Sequence, residues 1–171
     1  KKFSVDAAAN ETYLLHGTSP AVLLSVLSNG LNERYSGSNA GTAFGDGVYL
    51  AEDVAKTDQY GAPDLRFDPA SALHRRLYGQ TNRHEGSVFY VLVCRALLGY
   101  PSRTRDGRTN IDTARNVFDV GRRELAAIPN VDIPLIYHSL IAELGSVIVR
   151  YREFISFHGS DYVMPEYLLA Y

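Results

Sequence analysis

The chain has 171 residues, 46% of them hydrophobic, which is enough to bury one core and short for two. The formal net charge is -2, with arginines dispersed singly or in pairs, which excludes the basic footprint of a nucleic-acid binder. A single cysteine, Cys94, excludes an intrachain disulfide and a thiolate metal cluster, and no apolar run approaches the ~20 residues that cross a bilayer.

In chain order, residues 13–16 read as a short strand. Ser19-Pro20 then supplies an N-cap and a first-turn proline for a helix ending at Asn29-Gly30, with Val22, Leu23, Val26 and Leu27 as its buried stripe. Residues 32–43, rich in Ser, Gly and Asn, lack periodicity and read as a loop free to cover a ligand. Residues 47–51 form a strand and residues 52–60 a short helix. Asp68-Pro69 opens a second helix reaching about Tyr78.

The apolar run 88–98 has the composition of a central strand buried on both faces, with Cys94 as a structural thiol inside it. Asp106-Gly107 marks a tight turn. Strands follow over 133–140, over 146–157 as one or two, and over 162–171. Strands dominate the second half without βαβ alternation, so an α+β domain of mostly antiparallel sheet is expected. Residues 1–171 are read as one domain with 1–11 as a lead-in. Met164 is the only methionine, so the chain reads as cut from a longer precursor.

Serine-hydrolase, zinc-protease and P-loop motifs are missing, and His16, His74, His84, His138 and His158 are scattered without metal-ligand spacing. Gly45-Asp46-Gly47 lacks the third glycine and the following helix of a dinucleotide fingerprint. Five ordered stretches remain. They are Leu15-His16-Gly17-Thr18, Gly47-Val48-Tyr49-Leu50-Ala51-Glu52, Asp53 to Tyr60 (DVAKTDQY), Arg152-Glu153-Phe154-Ile155 and Pro165-Glu166-Tyr167-Leu168-Leu169.

In this order they resemble the His-Tyr-Glu signature of poly(ADP-ribose) polymerase-like, diphtheria-toxin-like ADP-ribosyltransferases. The last stretch is similar to the closing strand of tankyrase-like members. The resemblance implies the ADP-ribosyltransferase fold, two packed, mostly antiparallel sheets with a few short flanking helices. It also implies a glycosyltransferase (pentosyltransferase) that takes NAD as substrate, releases nicotinamide and moves ADP-ribose to a protein side chain.

By that resemblance Glu153 is catalytic, holding the nicotinamide-ribose 2′-hydroxyl and favouring an oxocarbenium-like transition state, as glycosidase carboxylates do. Tyr49 and Tyr60 sandwich the cationic nicotinamide, and the Gly17 backbone meets its carboxamide. Thr57, where the family usually has serine, donates its hydroxyl to the carboxamide, and His16, assisted by Thr18, holds the adenosine ribose. His16 and Tyr49 complete the catalytic set with Glu153, and the loop 32–43 lies over NAD. No metal is expected, because one cysteine cannot rebuild the small zinc site of tankyrase-like members.

Mono-ADP-ribosylation is the expected outcome. Hydrolysis of NAD with water as acceptor and a non-catalytic NAD- or ADP-ribose-binding module are the competing readings. Arginine far outnumbers lysine, as in GC-rich genomes. A secreted bacterial effector acting on a host protein in the host cytosol is therefore one expectation, with ubiquitin one candidate acceptor; an intracellular enzyme is the other. The domain is expected to be a soluble monomer without nucleic-acid or membrane partners.

Overall fold

The structure is a computed structural model that describes residues 5–35 and 42–171. A three-stranded antiparallel sheet has the order β1-β3-β9, with β1 at Glu11–Thr18, β3 at Tyr90–Leu97 and β9 at Val163–Ala170. The apolar run takes the middle position expected of it: Tyr90, Val91, Leu92, Cys94 and Ala96 are all buried. Burial pushes the Cys94 thiol up to about 12, so it is an inert packing group.

A second sheet has the order β2-β8-β7-β4, formed by Val48–Leu50, Glu153–Ser156, Ser139–Ala142 and Pro101–Thr104. All its pairings are antiparallel except β4 with β7. A small ribbon, β5 (Phe118–Val120) and β6 (Glu124–Leu125), lies beside it in the chain order. Among the described residues, four short α-helices flank the sheets: α1 (Pro20–Asn29), α2 (Val54–Thr57), α3 (Ala72–Tyr78) and α4 (Gly159–Tyr162). Among the described residues, no helix is long and apolar enough to cross a membrane.

The second sheet separates two cores by strand alternation. Ile141 and Phe154, opposite one another on β7 and β8, join the cluster built on Leu14, Leu23, Val48, Leu50 and Leu92. Their neighbours Leu140 and Ile155 turn to the other face and pack with Phe44, Val117, Ile148 and Phe157. Tyr49 packs against this second cluster, and alternation puts Glu153 on the same face as Ile155, the residue opposite Tyr49.

Several expectations shift. Helix α1 spans the expected residues, but of its stripe only Leu23 is fully buried; Val22 is 49% exposed because that side of the helix borders a cleft. Helix α3 is capped by Ser71, whose hydroxyl accepts from the His74 N–H, whereas Asp68 closes the preceding turn by accepting from the Ala70 N–H. The strand expected over 133–140 begins only at Ser139. Ile133, Leu135 and Ile136 are exposed, so their β-branched and aliphatic character carries no buried face. Only Glu153–Ser156 of 146–157 is strand.

The turn at Asp106-Gly107 forms as read. Gly107 has φ +73, and backbone N–H groups of Thr109 and Arg108 hold the Asp106 carboxyl down to about 2. Two of the scattered histidines, His74 and His84, come together around Asp64, a convergence the sequence spacing does not suggest.

The burial pattern sets the cost of core changes. Leu92→Ala, at a site with 0% exposure, should lower unfolding free energy by about 2–5 kcal/mol in urea titration, and Val22→Ala by less than about 0.5 kcal/mol.

Candidate functional site

The two sheets meet edge to edge. Strand β2 is an outer strand of one and β1 of the other, and their free edges are tied by a backbone bridge: Leu15 N–H donates to the Ala51 carbonyl at 2.7 Å and Ala51 N–H to the Leu15 carbonyl at 2.9 Å. One residue on, the His16 Nδ1–H donates to the Tyr49 carbonyl at 2.8 Å. Because a carbonyl only accepts, the proton sits on Nδ1 and Nε2 is left as an acceptor. Burial lowers the pKa of His16, outweighing the bond to Tyr49, which works the other way. The ring is neutral at pH 7.

A cleft of about 860 Å³ opens at this seam. It is lined by every residue expected in the site: His16, Gly17, Thr18, Tyr49, Thr57, Tyr60 and Glu153. From the loop expected to cover it, Asn32, Tyr35 and Thr42 line the cleft, while residues 36–41 lie outside the described residues.

Gly17 has a physical reason to be glycine. A Cβ there would lie 2.1 Å from the Thr57 carbonyl oxygen and 2.9 Å from its carbon, so α2 can sit against β1 only without that atom. By strand alternation Gly17 also turns its own N–H and C=O the way Leu15 does, away from β3 and toward the cleft.

Helix α2 is short and held at its start by Asp53, whose carboxylate accepts from the Ala55 N–H at 2.8 Å. Thr57 on its last turn is buried, and its hydroxyl donates to the Val54 carbonyl at 2.8 Å. The expected donation from Thr57 to a ligand therefore requires the hydroxyl to leave that carbonyl. Left as it is, the oxygen offers lone pairs, an acceptor.

Tyr49 is locked by its hydroxyl, which accepts from the Phe44 N–H at 3.0 Å and donates to the Gly45 carbonyl at 2.7 Å. Burial raises its pKa well above that of a free tyrosine. It presents a neutral ring of fixed orientation. Tyr60 is 41% exposed at the mouth.

Glu153 begins β8 and is 7% exposed. Its Oε1 accepts from Lys56 Nζ at 2.9 Å, and the same ammonium donates to the Tyr60 hydroxyl at 3.2 Å and lies 5.1 Å from the Tyr60 ring centre. Burial pulls the Lys56 pKa down, but its bonds to Glu153 and Tyr60 outweigh that and leave it raised, so the lysine is charged. Lys56 is the cleft residue that sequence reasoning passed over. The available signal was its position inside the DVAKTDQY stretch, one residue before Thr57.

Beside Glu153, the Arg152 guanidinium pairs with both oxygens of Glu52 at 2.9 and 2.7 Å, fastening the start of β8 to the second residue after β2 and holding the Glu52 carboxyl low. Glu166, set apart from the site by its sequence position, is engaged elsewhere, accepting from Tyr13 and pairing with Arg95 across the first sheet.

One cleft thus holds a neutral histidine at the end of β1, a tyrosine on β2 and a buried glutamate on β8. The model of the poly(ADP-ribose) polymerase catalytic domain matches residues 1–171. This chain belongs to that family. It is also similar to a protein from Caenorhabditis elegans described as poly [ADP-ribose] polymerase tankyrase, 32% identical over 91 residues. That match covers 53% of this chain and 3% of the tankyrase. The chemistry of the family is NAD-dependent ADP-ribosyl transfer.

Two consequences of this geometry are measurable. Gly17→Ala should displace α2 and lower stability by about 1–3 kcal/mol, as overpacking does. Gly61→Ala, whose Cβ meets nothing closer than 3.4 Å, should stay within about 0.5 kcal/mol in the same chemical-denaturation assay.

The second concerns acid. His16 has a lowered pKa when folded, so the unfolded chain binds more protons below its ordinary value of about 6.5. Its contribution is present above about pH 6.5 and is lost as pH falls toward the folded value. Melting temperatures between pH 7.5 and 5.5 should fall more steeply for the parent chain than for His16→Asn.

Proposed function

We propose that this domain cleaves the nicotinamide–ribose bond of NAD and transfers ADP-ribose to a protein side chain. The observation that carries the reading is the buried Glu153 carboxylate, held by Lys56 in the same cleft as Tyr49, Tyr60, Gly17 and His16.

Each role follows from what the residue offers. The open N–H and C=O of Gly17 suit a carboxamide, which needs one donor and one acceptor side by side. Tyr49, its hydroxyl doubly bonded, gives a rigid face for the nicotinamide ring, and Tyr60 gives the other; a cationic ring against aromatic faces gains about 0.5–2 kcal/mol. His16 Nε2, an acceptor on a neutral ring, takes a ribose hydroxyl of the adenosine end, with Thr18 beside it. Thr57 contributes its oxygen near the carboxamide.

Glu153 acts on the nicotinamide ribose. Its carboxylate accepts from the 2′-hydroxyl and opposes the positive charge that grows at the anomeric carbon as nicotinamide leaves. Lys56 holds that carboxylate in place while the cleft is free. An acceptor entering beside it can exchange its proton with Glu153. Transfer of single ADP-ribose units is the finer form of the proposal, and a secreted effector modifying a host protein is its biological form.

Nicotinamide release by the purified domain, with and without cell lysate, tests the reaction. Glu153→Gln should lower turnover by about 10²–10⁴-fold and change NAD affinity little. Lysate-dependent release with labelled protein supports transfer, with a mass increase of one ADP-ribose per site as the single-unit outcome. Release in buffer without labelling would replace transfer by hydrolysis, and NAD binding without release would make the domain a binding module.

A further inference from the structure

Between Tyr60 and the central strand β3 lies a segment that the cleft chemistry does not use, and within it Asp64, His74 and His84 converge. Asp64 Oδ2 is 2.6 Å from His74 Nε2 and 3.8 Å from His84 Nε2. One ligand atom from each of the three lies within 4.8 Å of the others. The side chains are 10%, 5% and 5% exposed.

His84 is the residue that needs an explanation. Its Nδ1 lies 2.8 Å from the Gly86 carbonyl, which only accepts, so Nδ1 carries a proton, and in the neutral ring Nε2 presents a lone pair. That Nε2 is buried without a hydrogen-bond partner and faces Asp64 Oδ2, another acceptor. In the neutral ring two buried acceptors face each other, an arrangement that a cation between them relieves, and 3.8 Å is too long for a direct hydrogen bond.

The surroundings are those of a metal site. His74 Nδ1 lies 3.0 Å from the Asp68 carbonyl and 2.7 Å from the Asp68 N–H, so either tautomer is satisfied and Nε2 is free to become a ligand. The Tyr90 hydroxyl donates to Asp64 Oδ2 at 3.1 Å, fixing the carboxylate as outer-shell partners do. Phe67 stacks on His74 and meets His84 edge-on, and Tyr78 packs against His84 from 5.4 Å, so both imidazoles are held in place by aromatic rings.

We propose that Asp64, His74 and His84 bind one zinc(II) ion as a structural clip. Two imidazole nitrogens and a carboxylate oxygen are a zinc donor set, with the fourth tetrahedral position left for water. Bonds of about 2.0–2.1 Å set ligand atoms about 3.3 Å apart, so the His74–Asp64 pair opens by about 0.7 Å and His84 draws in. The backbone of Asp64 is bridged to Val88 by two hydrogen bonds. The ion therefore joins α3 and the polar connector carrying His84 to Asp64, which lies four residues beyond Tyr60 and is bridged to the entry of β3. The clip is independent of the reaction proposed for the cleft.

The test uses the full chain, freed of metal with a chelator and titrated with zinc chloride. One zinc should bind per chain and raise the melting temperature, and cobalt(II) in its place should give the visible absorption of a tetrahedral nitrogen–oxygen site. Loss of an outer-shell partner alone weakens metal sites about 10–100-fold, so Asp64→Asn and His84→Ala should each weaken zinc by at least about 100-fold. His158→Ala, outside the cluster, should leave it unchanged. Circular dichroism of both variants separates lost binding from lost folding, and the cobalt spectrum of the parent chain does not depend on either variant. Failure of the parent chain to bind zinc in one-to-one ratio, or equal affinity in folded His84→Ala, would overturn the proposal.

Discussion

The cleft exists because the free edges of two sheets are joined to each other. Strands β1 and β2 each have one side without a strand partner, a liability that proteins cover or pair. Here the Leu15–Ala51 bridge and the His16–Tyr49 bond use those edges to set the two sheets against each other. The same contacts bring a histidine and a tyrosine, 33 positions apart in the chain, to one wall, and leave the Gly17 peptide groups turned toward the opening. Past that bridge, Gly17 and Tyr49 line the cleft.

The electrostatics depend on that seam through a single glycine. Helix α2 can lie against β1 only because Gly17 carries no Cβ, and α2 carries both Lys56 and Thr57. Lys56 is the cation that answers the buried Glu153 charge, whose strand is in turn fastened to the end of β2 by the Arg152–Glu52 pair. Glycine, lysine and glutamate thus act as one unit: the backbone approach sets the helix, the helix sets the ammonium, and the ammonium holds the buried carboxylate at 2.9 Å.

Much of this was legible in the residues. The run 88–98 is apolar at nearly every position, and only a central strand buries both faces. The stations around His16, Tyr49 and Glu153 were legible as ordered motifs, and the structure brings all seven expected residues to one cleft. Other parts were not legible, for identifiable reasons. Ile133, Leu135 and Ile136 look like strand residues but are exposed, and β7 begins only where Ser139 meets β4 in parallel, a pairing with no local signal. A lone lysine reads as solvated, so Lys56 was passed over. Asp64, His74 and His84 stand ten residues apart, which matches no ligand spacing; only the fold brings them together.

The most direct measurement is a crystal structure of the domain with a non-hydrolysable NAD analogue. The account requires the nicotinamide ring between Tyr49 and Tyr60, its carboxamide on the Gly17 peptide groups, the nicotinamide-ribose 2′-hydroxyl within hydrogen-bond distance of Glu153, and the adenosine ribose on His16 Nε2. An analogue bound away from this seam, or bound with its nicotinamide ribose out of reach of Glu153, would contradict it.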